Sequence, residues 1–390
     1  MIEGREIKML EECISFIKNG ANIKQSKNAA GYPITRIETL SGGKFNRDKM
    51  GYADIFDLTR YSGYILNDGD ILMSHINSKA YVGRSVVYDK RDGETIIHGM
   101  NLLRIITTPE VKPKYLYLFT LSHRFKKQIA SIRKDAVNQS SVAIGDLKKI
   151  SVPVPSIQEQ EKIVAELNCL TGIIENKKLQ LEELDKLAQS IFYDMFGDPI
   201  TNEKGWDISC FGKIIRTAKV ERCGEREGLP VLSITMRNGI VRQSERFKKV
   251  IASKDVSAYK VVPRGSLVIA FPIDEGLIYI QDVDKEGIMS PAYNIYDVDY
   301  AVVQKEYLVS YFHSAYAMKY YKDKLRGTTQ RRRMLAKEDL LAMPIPAPPL
   351  TEQQLFAQKM EAIMKQKEMV KRSIVETEAL FNSRMDFWFN

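Results

Sequence analysis

The sequence predicts an α+β protein made of two copies of one globular unit, each copy followed by a long helix. Three observations predict it. Matching segments recur in the same order at offsets of roughly 190 to 197 residues, a period far too long for a solenoid. Each copy opens with short β-rich runs and continues into helical patches, a mixed pattern and not an alternating parallel one. Each copy closes with a proline block and a sustained heptad of apolar residues.

The clearest repeat is Pro153-Val154-Pro155-Ser156-Ile157-Gln158-Glu159-Gln160. It matches Pro344-Ile345-Pro346 and then Pro349-Leu350-Thr351-Glu352-Gln353, with a two-residue insertion in the second copy. Upstream of each block lies a glutamine, Gln139 and Gln330. Looser matches pair Gly31-Tyr32-Pro33-Ile34 with Gly228-Leu229-Pro230-Val231. They also pair Asp68-Gly69-Asp70-Ile71-Leu72 with Arg264-Gly265-Ser266-Leu267-Val268, and Tyr115-Leu116 with Tyr307-Leu308.

Strands are expected at Tyr64 to Leu66, Ile71 to Met73, Val86 to Tyr88, Val231 to Thr235 and Ser266 to Ala270, bounded by Gly, Asn and Asp turns. Helical patches are expected near 113–130 and 305–325. The prolines stop the preceding chain, and Ser156 with Glu159, or Thr351 with nearby acids, caps the helix that starts there. Ile163, Leu167, Leu170, Ile174, Lys177, Leu181, Leu184, Ala188, Ile191 and Met195 then form one stripe. Phe356, Met360, Ile363, Lys367, Val370, Ile374, Thr377 and Phe381 form the second. About 33 helical residues at ~1.5 Å each make a rod of roughly 50 Å. Two such rods are expected to pair with each other as an antiparallel coiled coil. The division is therefore 1–155, a helix at 156–197, 198–348, and a helix at 349–390.

Of the 390 residues, 44% are hydrophobic and 27% charged, with 58 Lys and Arg against 49 acids. That mild basic excess suits a nucleic-acid partner. Cys13, Cys169, Cys210 and Cys223 form no CxxC pair and lie away from His75, His98, His123 and His313, so no zinc site is expected. Scattered thiols suit a reducing cytoplasm, and no apolar run is long enough to span a bilayer. A methyltransferase would need a glycine loop and an Asn/Asp-Pro-Pro-aromatic motif; Asp198-Pro199-Ile200 lacks the second proline and the aromatic. GxxxxGK[ST] is absent, and Glu6-Ile7-Lys8 has no suitably placed upstream carboxylate for metal-assisted hydrolysis. His75 near Ser74 and Asp70 reads better as a polar strand-end residue than as part of a triad. No catalysis is expected of the chain.

Two globular units alternating with two long helices, each introduced by Pro-x-Pro…Glu-Gln, resemble the specificity subunit of type I restriction–modification systems. Leu229 to Thr235, Tyr259 to Val262 and Met289 to Tyr293 look like segments common in its recognition domains. The resemblance covers essentially the whole chain. It implies two target recognition domains, each reading one half of a split double-stranded DNA sequence, with the helices as a ruler between them. It implies two methyltransferase subunits docked on the helices, with motor–nuclease subunits as further partners, and no membrane. S-adenosylmethionine, ATP and Mg are then expected on those partners, with no cofactor on this chain. The alternatives are a coiled-coil scaffold without DNA function, or a fragment of a fused restriction–methylation enzyme.

The basic stretch Arg326-Gly327-Thr328-Thr329-Gln330-Arg331-Arg332-Arg333 holds four arginines and no acid. Its place in the first copy is taken by Arg133-Lys134…Asn138-Gln139-Ser140-Ser141. Arg grips guanine bidentately, and Gln or Asn does so with adenine, so both stretches are candidate DNA-contacting loops. A solvated charge run is the plainer reading. Lys44, Asn46 and Arg47 in Ser41 to Arg47 form a second candidate, with Arg237-Asn238-Gly239 as its counterpart. A hairpin turn is the plain reading of Asn-Gly. Lys79, Tyr81, Lys248 and Lys249 are weaker candidates for phosphate contacts.

Overall fold

A computed structural model describes residues 6–26, 28–137, 139–236, 238–246, 255–325 and 335–390. The chain divides into two compact units, Met1–Lys178 with Arg372–Asn390, and Leu179–Lys371. These units cut the chain differently from the division expected above, because each takes part of both long helices.

In the first unit, β1 (Ile14–Asn19), β2 (Ile71–Met73), β3 (Ser85–Val87) and β4 (Leu103–Thr107) form an antiparallel sheet in the order β1-β4-β2-β3. Helices α1 (Pro113–Leu121) and α2 (His123–Ile132) follow, and then α3 (Ile157–Phe196) begins. The second unit repeats this plan. Its β5 (Ile215–Thr217), β6 (Leu267–Ile269), β7 (Ile278–Ile280) and β8 (Asn294–Val298) run β5-β8-β6-β7. Then come α4 (Lys305–Phe312), α5 (Ala315–Lys324) and α6 (Leu350–Phe389). Each expected helical patch is split by a serine. Ser122 Oγ accepts from Phe125 N and Ser314 Oγ from Ala317 N, each at 3.2 Å, so a fresh helix starts there. One expected strand is missing: Thr59–Tyr64 is a 3-10 turn, and Ile65 makes only an isolated bridge to Ile97.

The loose repeats keep their register. Pro33 O and Pro230 O accept from Ile97 N and Ile288 N, each at 2.9 Å. Gly69 and Gly265 both hold left-handed backbone (φ +81° and +89°) immediately before the strand pairs begin. The proline block needs correction. Tyr115 Oη donates to Pro153 O, while Tyr307 Oη donates to Pro346 O (2.7 Å), so Pro153 matches Pro346 and not Pro344. Pro153 to Gln160 then aligns with Pro346 to Gln353 without any insertion. The second copy has extra prolines, which offer a false match two residues early. Gln139 and Gln330 are correspondingly out of step.

The motif's glutamine explains the motif. Gln160 is fully buried; Oε1 accepts from Lys112 N, and Nε2 donates to Glu110 O and Pro155 O, all at 2.9 Å. Gln353 accepts from Gln304 N and donates to Pro348 O, both at 2.8 Å. One side chain thus ties the start of each long helix to the loop entering α1 or α4, satisfying backbone groups that burial would otherwise strand. Ser156 Oγ accepts from Glu159 N (3.3 Å), the expected cap.

Both long helices have 40 residues, about 60 Å at the usual rise. They pack antiparallel within each unit. Early α3 meets late α6 in the first unit, where Glu166 pairs with Arg384. Late α3 meets early α6 in the second, where Phe192 and Phe196 pack on Phe356 with ring centroids 5.9 and 5.2 Å apart. The stripe is buried as expected at Ile163, Leu167, Ile174 and Leu184, and at Phe356, Met360, Ile363, Val370 and Ile374. Near the end of α3 it shifts by one residue: Phe192 and Phe196 are buried, not Ile191 and Met195. A 3.6-residue turn drifts against a strict heptad, and the aromatic rings fill the core the drift exposes to them.

Candidate nucleic-acid interface

Several sequence candidates of the first unit converge at one place. Lys134–Asp135 and Ser140–Ser141 form a short hairpin, and its second strand also pairs with Ile76–Asn77. Asp135 is the hub. It accepts from Arg133 Nε (2.6 Å) and Ser140 Oγ (2.7 Å), and lies 3.3 Å from Lys79 Nζ. The Arg133 guanidinium, then the Ser140 hydroxyl, hold its carboxyl well below the usual carboxylate range. Ser140 therefore serves the loop's shape, while Lys134 and Gln139 are exposed on it. Val137 at its tip is 99% exposed. Asn138 lies outside the described residues.

Beside the hairpin is a groove of about 410 Å³, bordered by Gly43, Lys79, Arg84, Lys126 and Arg133, with no carboxylate in its lining. Arg84 is stacked over Tyr81 at 4.2 Å, which fixes the guanidinium at the rim. Such a surface suits phosphate: Arg84 and Lys126 face the groove beside Arg133 and Lys79, whose charges are shared with Asp135.

The Ser41 to Arg47 segment reaches this groove through Gly43 and a second one, of about 510 Å³, through Lys44 and Arg47. Lys44 is exposed. Asn46 is spent on the turn, donating to Ser41 Oγ (3.1 Å) and accepting from Asp48 N (3.1 Å). Arg47 is bound to Glu94 by two bonds of 2.6 and 2.8 Å and lies over the Phe45 ring. That guanidinium brings the Glu94 carboxyl down to about 2. Arg47 thus holds the loop on the sheet. Nothing local in the sequence signals its partner, which lies far along the chain.

The triad that His75 could suggest is not assembled. Asp70 is buried against Arg104 (2.7 Å), and His75 Nδ1 is buried without a hydrogen-bond partner among the described residues. Burial lowers the His75 pKa. Among the described residues no group of three or more His, Cys, Asp or Glu is placed to hold a metal, and no helix is long and apolar enough to cross a membrane.

Residues 3–186 match the family model described as the type I restriction modification DNA specificity domain. Across 93% of its length the chain is 30% identical to the MjaX type I restriction enzyme specificity subunit of Methanocaldococcus jannaschii, covering 87% of that protein. The chain belongs to the type I restriction–modification specificity subunits. It is also similar to the EcoKI specificity subunit of Escherichia coli K12, at 24% identity over 49% of this chain and 42% of that one. Among solved structures, the S subunit from M. genitalium shares the fold with a TM-score of 0.54 at 12% identity, covering 100% of this chain and 97% of that one. A chain from a structural study of type I complex assembly and conformational transition shares it with a TM-score of 0.56 at 15% identity, covering 98% and 97%.

In the second unit of this specificity subunit, Asn238 sits in a hairpin turn between Leu232–Thr235 and Gly239–Arg242, the plain reading of Asn-Gly. Its N–H donates to Thr235 Oγ1 (3.1 Å), and Gly239 takes φ +61°. Met236 beside it is 58% exposed, and its carbonyl accepts from Tyr279 Oη (3.0 Å). Arg237, Lys248, Lys249, Arg326, Thr329, Gln330, Arg331, Arg332 and Arg333 lie outside the described residues.

Proposed function

We propose that this specificity subunit reads a bipartite, asymmetric double-stranded DNA target, one half with each unit. The observation that supports this is the repeated frame: the same sheet order and helix sequence twice, carrying loops of different residues. Identical frames place two reading surfaces alike, and different loops read different bases. Lys44, Lys134, Gln139 and the basic groove are the contacts proposed for the first half-site. Asn238 with Arg237 and the 326–333 stretch is proposed for the second. The paired helices set the spacing and dock two methyltransferase subunits, with motor–nuclease subunits joining them. Linking two readers makes the second binding event intramolecular, which raises affinity without new contacts. The chain itself performs no chemistry. S-adenosylmethionine, ATP and Mg act on the partner subunits, in the cytoplasm.

The test is co-expression with a type I modification subunit that forms a complex with this chain, followed by mapping of modified bases. One split motif of fixed spacing is expected. Replacing residues 198–348 with those of another specificity subunit is expected to change one half of it. A stable complex that modifies and binds no motif would overturn the reading in favour of a scaffold.

A further inference from the structure

The Ile37–Gly43 turn borders three cavities. Its end, Gly43, reaches the basic groove described above. Its start, Ile37 and Glu38, borders a separate recess of about 610 Å³, also lined by Gln25, Ser26, Arg36 and Asn101. Gln, Arg and Asn are the side chains that reach base edges with paired hydrogen bonds. Here three of them, distant in sequence, share one recess.

The Gln25 amide is held in a built seat. A Cβ at Gly51 would lie 1.8 Å from its Oε1, and one at Gly99 would lie 3.4 Å from its Nε2. Only glycine at 51 leaves room for the amide. Isolated bridges Ser26 to Tyr52, Ile34 to Gly51 and Ala21 to Gly99 fix the chain around it. Yet Oε1 is buried with no hydrogen-bond partner among the described residues. A buried acceptor without a donor is costly, so the amide loses little by leaving this seat for a partner that donates to it. Asn101 holds φ +76°, a left-handed backbone that only glycine takes freely, and there it presents an exposed amide at the rim. Among the described residues the Arg36 guanidinium pairs with Glu38, at 3.4 Å, in a half-exposed pair that is readily exchanged.

We propose that this recess is a base-reading site for the first half-target. The Gln25 side chain leaves its seat when DNA docks, and its Oε1 then accepts from an exocyclic amino group, adenine N6 or cytosine N4, in the major groove, with Asn101 and Arg36 completing the contact. The inference rests on the DNA-reading function proposed above. In the matched register, Ser233 stands where Arg36 does and Ala292 where Asn101 does, so among its described residues the second unit does not repeat these two partners. The recess therefore acts on one half-site only.

The test uses the complex with the modification subunit and maps modified bases for three variants. Gln25→Met keeps the length and removes every polar atom. Gln25→Glu keeps the acceptor. Asn101→Gly relaxes the backbone and removes the amide. With Gln25→Met and Asn101→Gly, one position in one half of the motif is expected to lose discrimination by about 5- to 100-fold, with the other half and the spacing unchanged. Gln25→Glu is expected to retain preference for an amino-bearing base there. Equal behaviour of the Met and Glu variants, or an unchanged motif in all three, would overturn the proposal while the DNA-reading function stands. A uniform loss of modification at every position would mark a phosphate contact and overturn it too. No motif with the unaltered chain would sink both.

Discussion

The two units share a frame and differ in what they bury. Sheet register places Ser266 where the first unit has Asp70, Ile295 where it has Arg104, and Met289 where it has His98. The first unit thus encloses an ion pair and a neutral histidine, His98, whose Nε2 is 2.9 Å from Leu102 O; the second has an uncharged interior at those positions. The helix pairs diverge likewise. In the first unit Glu166 takes bonds from Arg384 and from Trp388 Nε1 (3.1 Å). In the second, the matching places hold Lys359, Ile191 and Met195, and the aromatic set of Phe192, Phe196, Tyr307 and Phe356 closes the junction. The frame therefore depends on the repeated Gly, Pro, Tyr and Gln positions. The buried polar groups are local choices made within it.

Exchanging residues between the units tests that lesson. Asp70→Ser or Arg104→Ile alone leaves one buried charge unpaired, at an expected cost of about 3–5 kcal/mol. The double variant copies the second unit and is expected to recover most of the loss in denaturant unfolding. If the double variant is as unstable as the singles, the ion pair belongs to the frame after all. Next in size, Phe389→Ala and Phe196→Ala each empty an aromatic core position, costing about 3 kcal/mol or more. Hydrogen exchange is expected to rise in the first unit for Phe389→Ala and in the second for Phe196→Ala; the reverse assignment would contradict the division of the helices.

Acid sensitivity sharpens the contrast. Burial pushes the His98 pKa down to about 4. A histidine neutral in the fold but protonated when unfolded stabilises the fold fully above about 6.5, and that contribution drains away as pH falls toward 4. His98→Met, the second unit's choice, is expected to flatten the stability profile of the first unit across that window. An unchanged slope would mean His98 does not control it. The smallest effect is expected for Glu166→Gln, about 1 kcal/mol or less, because the pair with Arg384 is about a third exposed. A larger drop in midpoint would show that this cluster, and not the apolar seam, closes the helix pair.

Much of the frame is legible in the sequence, because heptads, prolines and positive-φ glycines signal themselves locally. Ile163 to Leu184 and Phe356 to Ile374 are readable as a buried stripe on spacing alone. The proline register misleads because Pro344, Pro346, Pro348 and Pro349 offer several matches, and the bond from Tyr307 to Pro346 decides among them. The candidate interface is less legible. Lys134 and Lys44 follow from charge, but the Lys79 contact to Asp135, and Glu94 as the partner of Arg47, depend on contacts across the fold. Gln25, Arg36 and Asn101 attract no notice in sequence, because only the folded recess brings them together.

The reach of the last helix has a consequence for how the protein is made. Met385 and Phe389 belong to the core of the first unit, beside Tyr115, Phe119 and Ile163. Those two side chains are synthesised after everything else in that core. The unit that leaves the ribosome first is therefore the one finished last. Until residue 389 emerges, its apolar cleft stands open through the translation of the whole second unit, an interval of roughly ten to forty seconds at ordinary elongation rates. A ribosome that stalls within α6 leaves the second unit translated while the first is still unsealed.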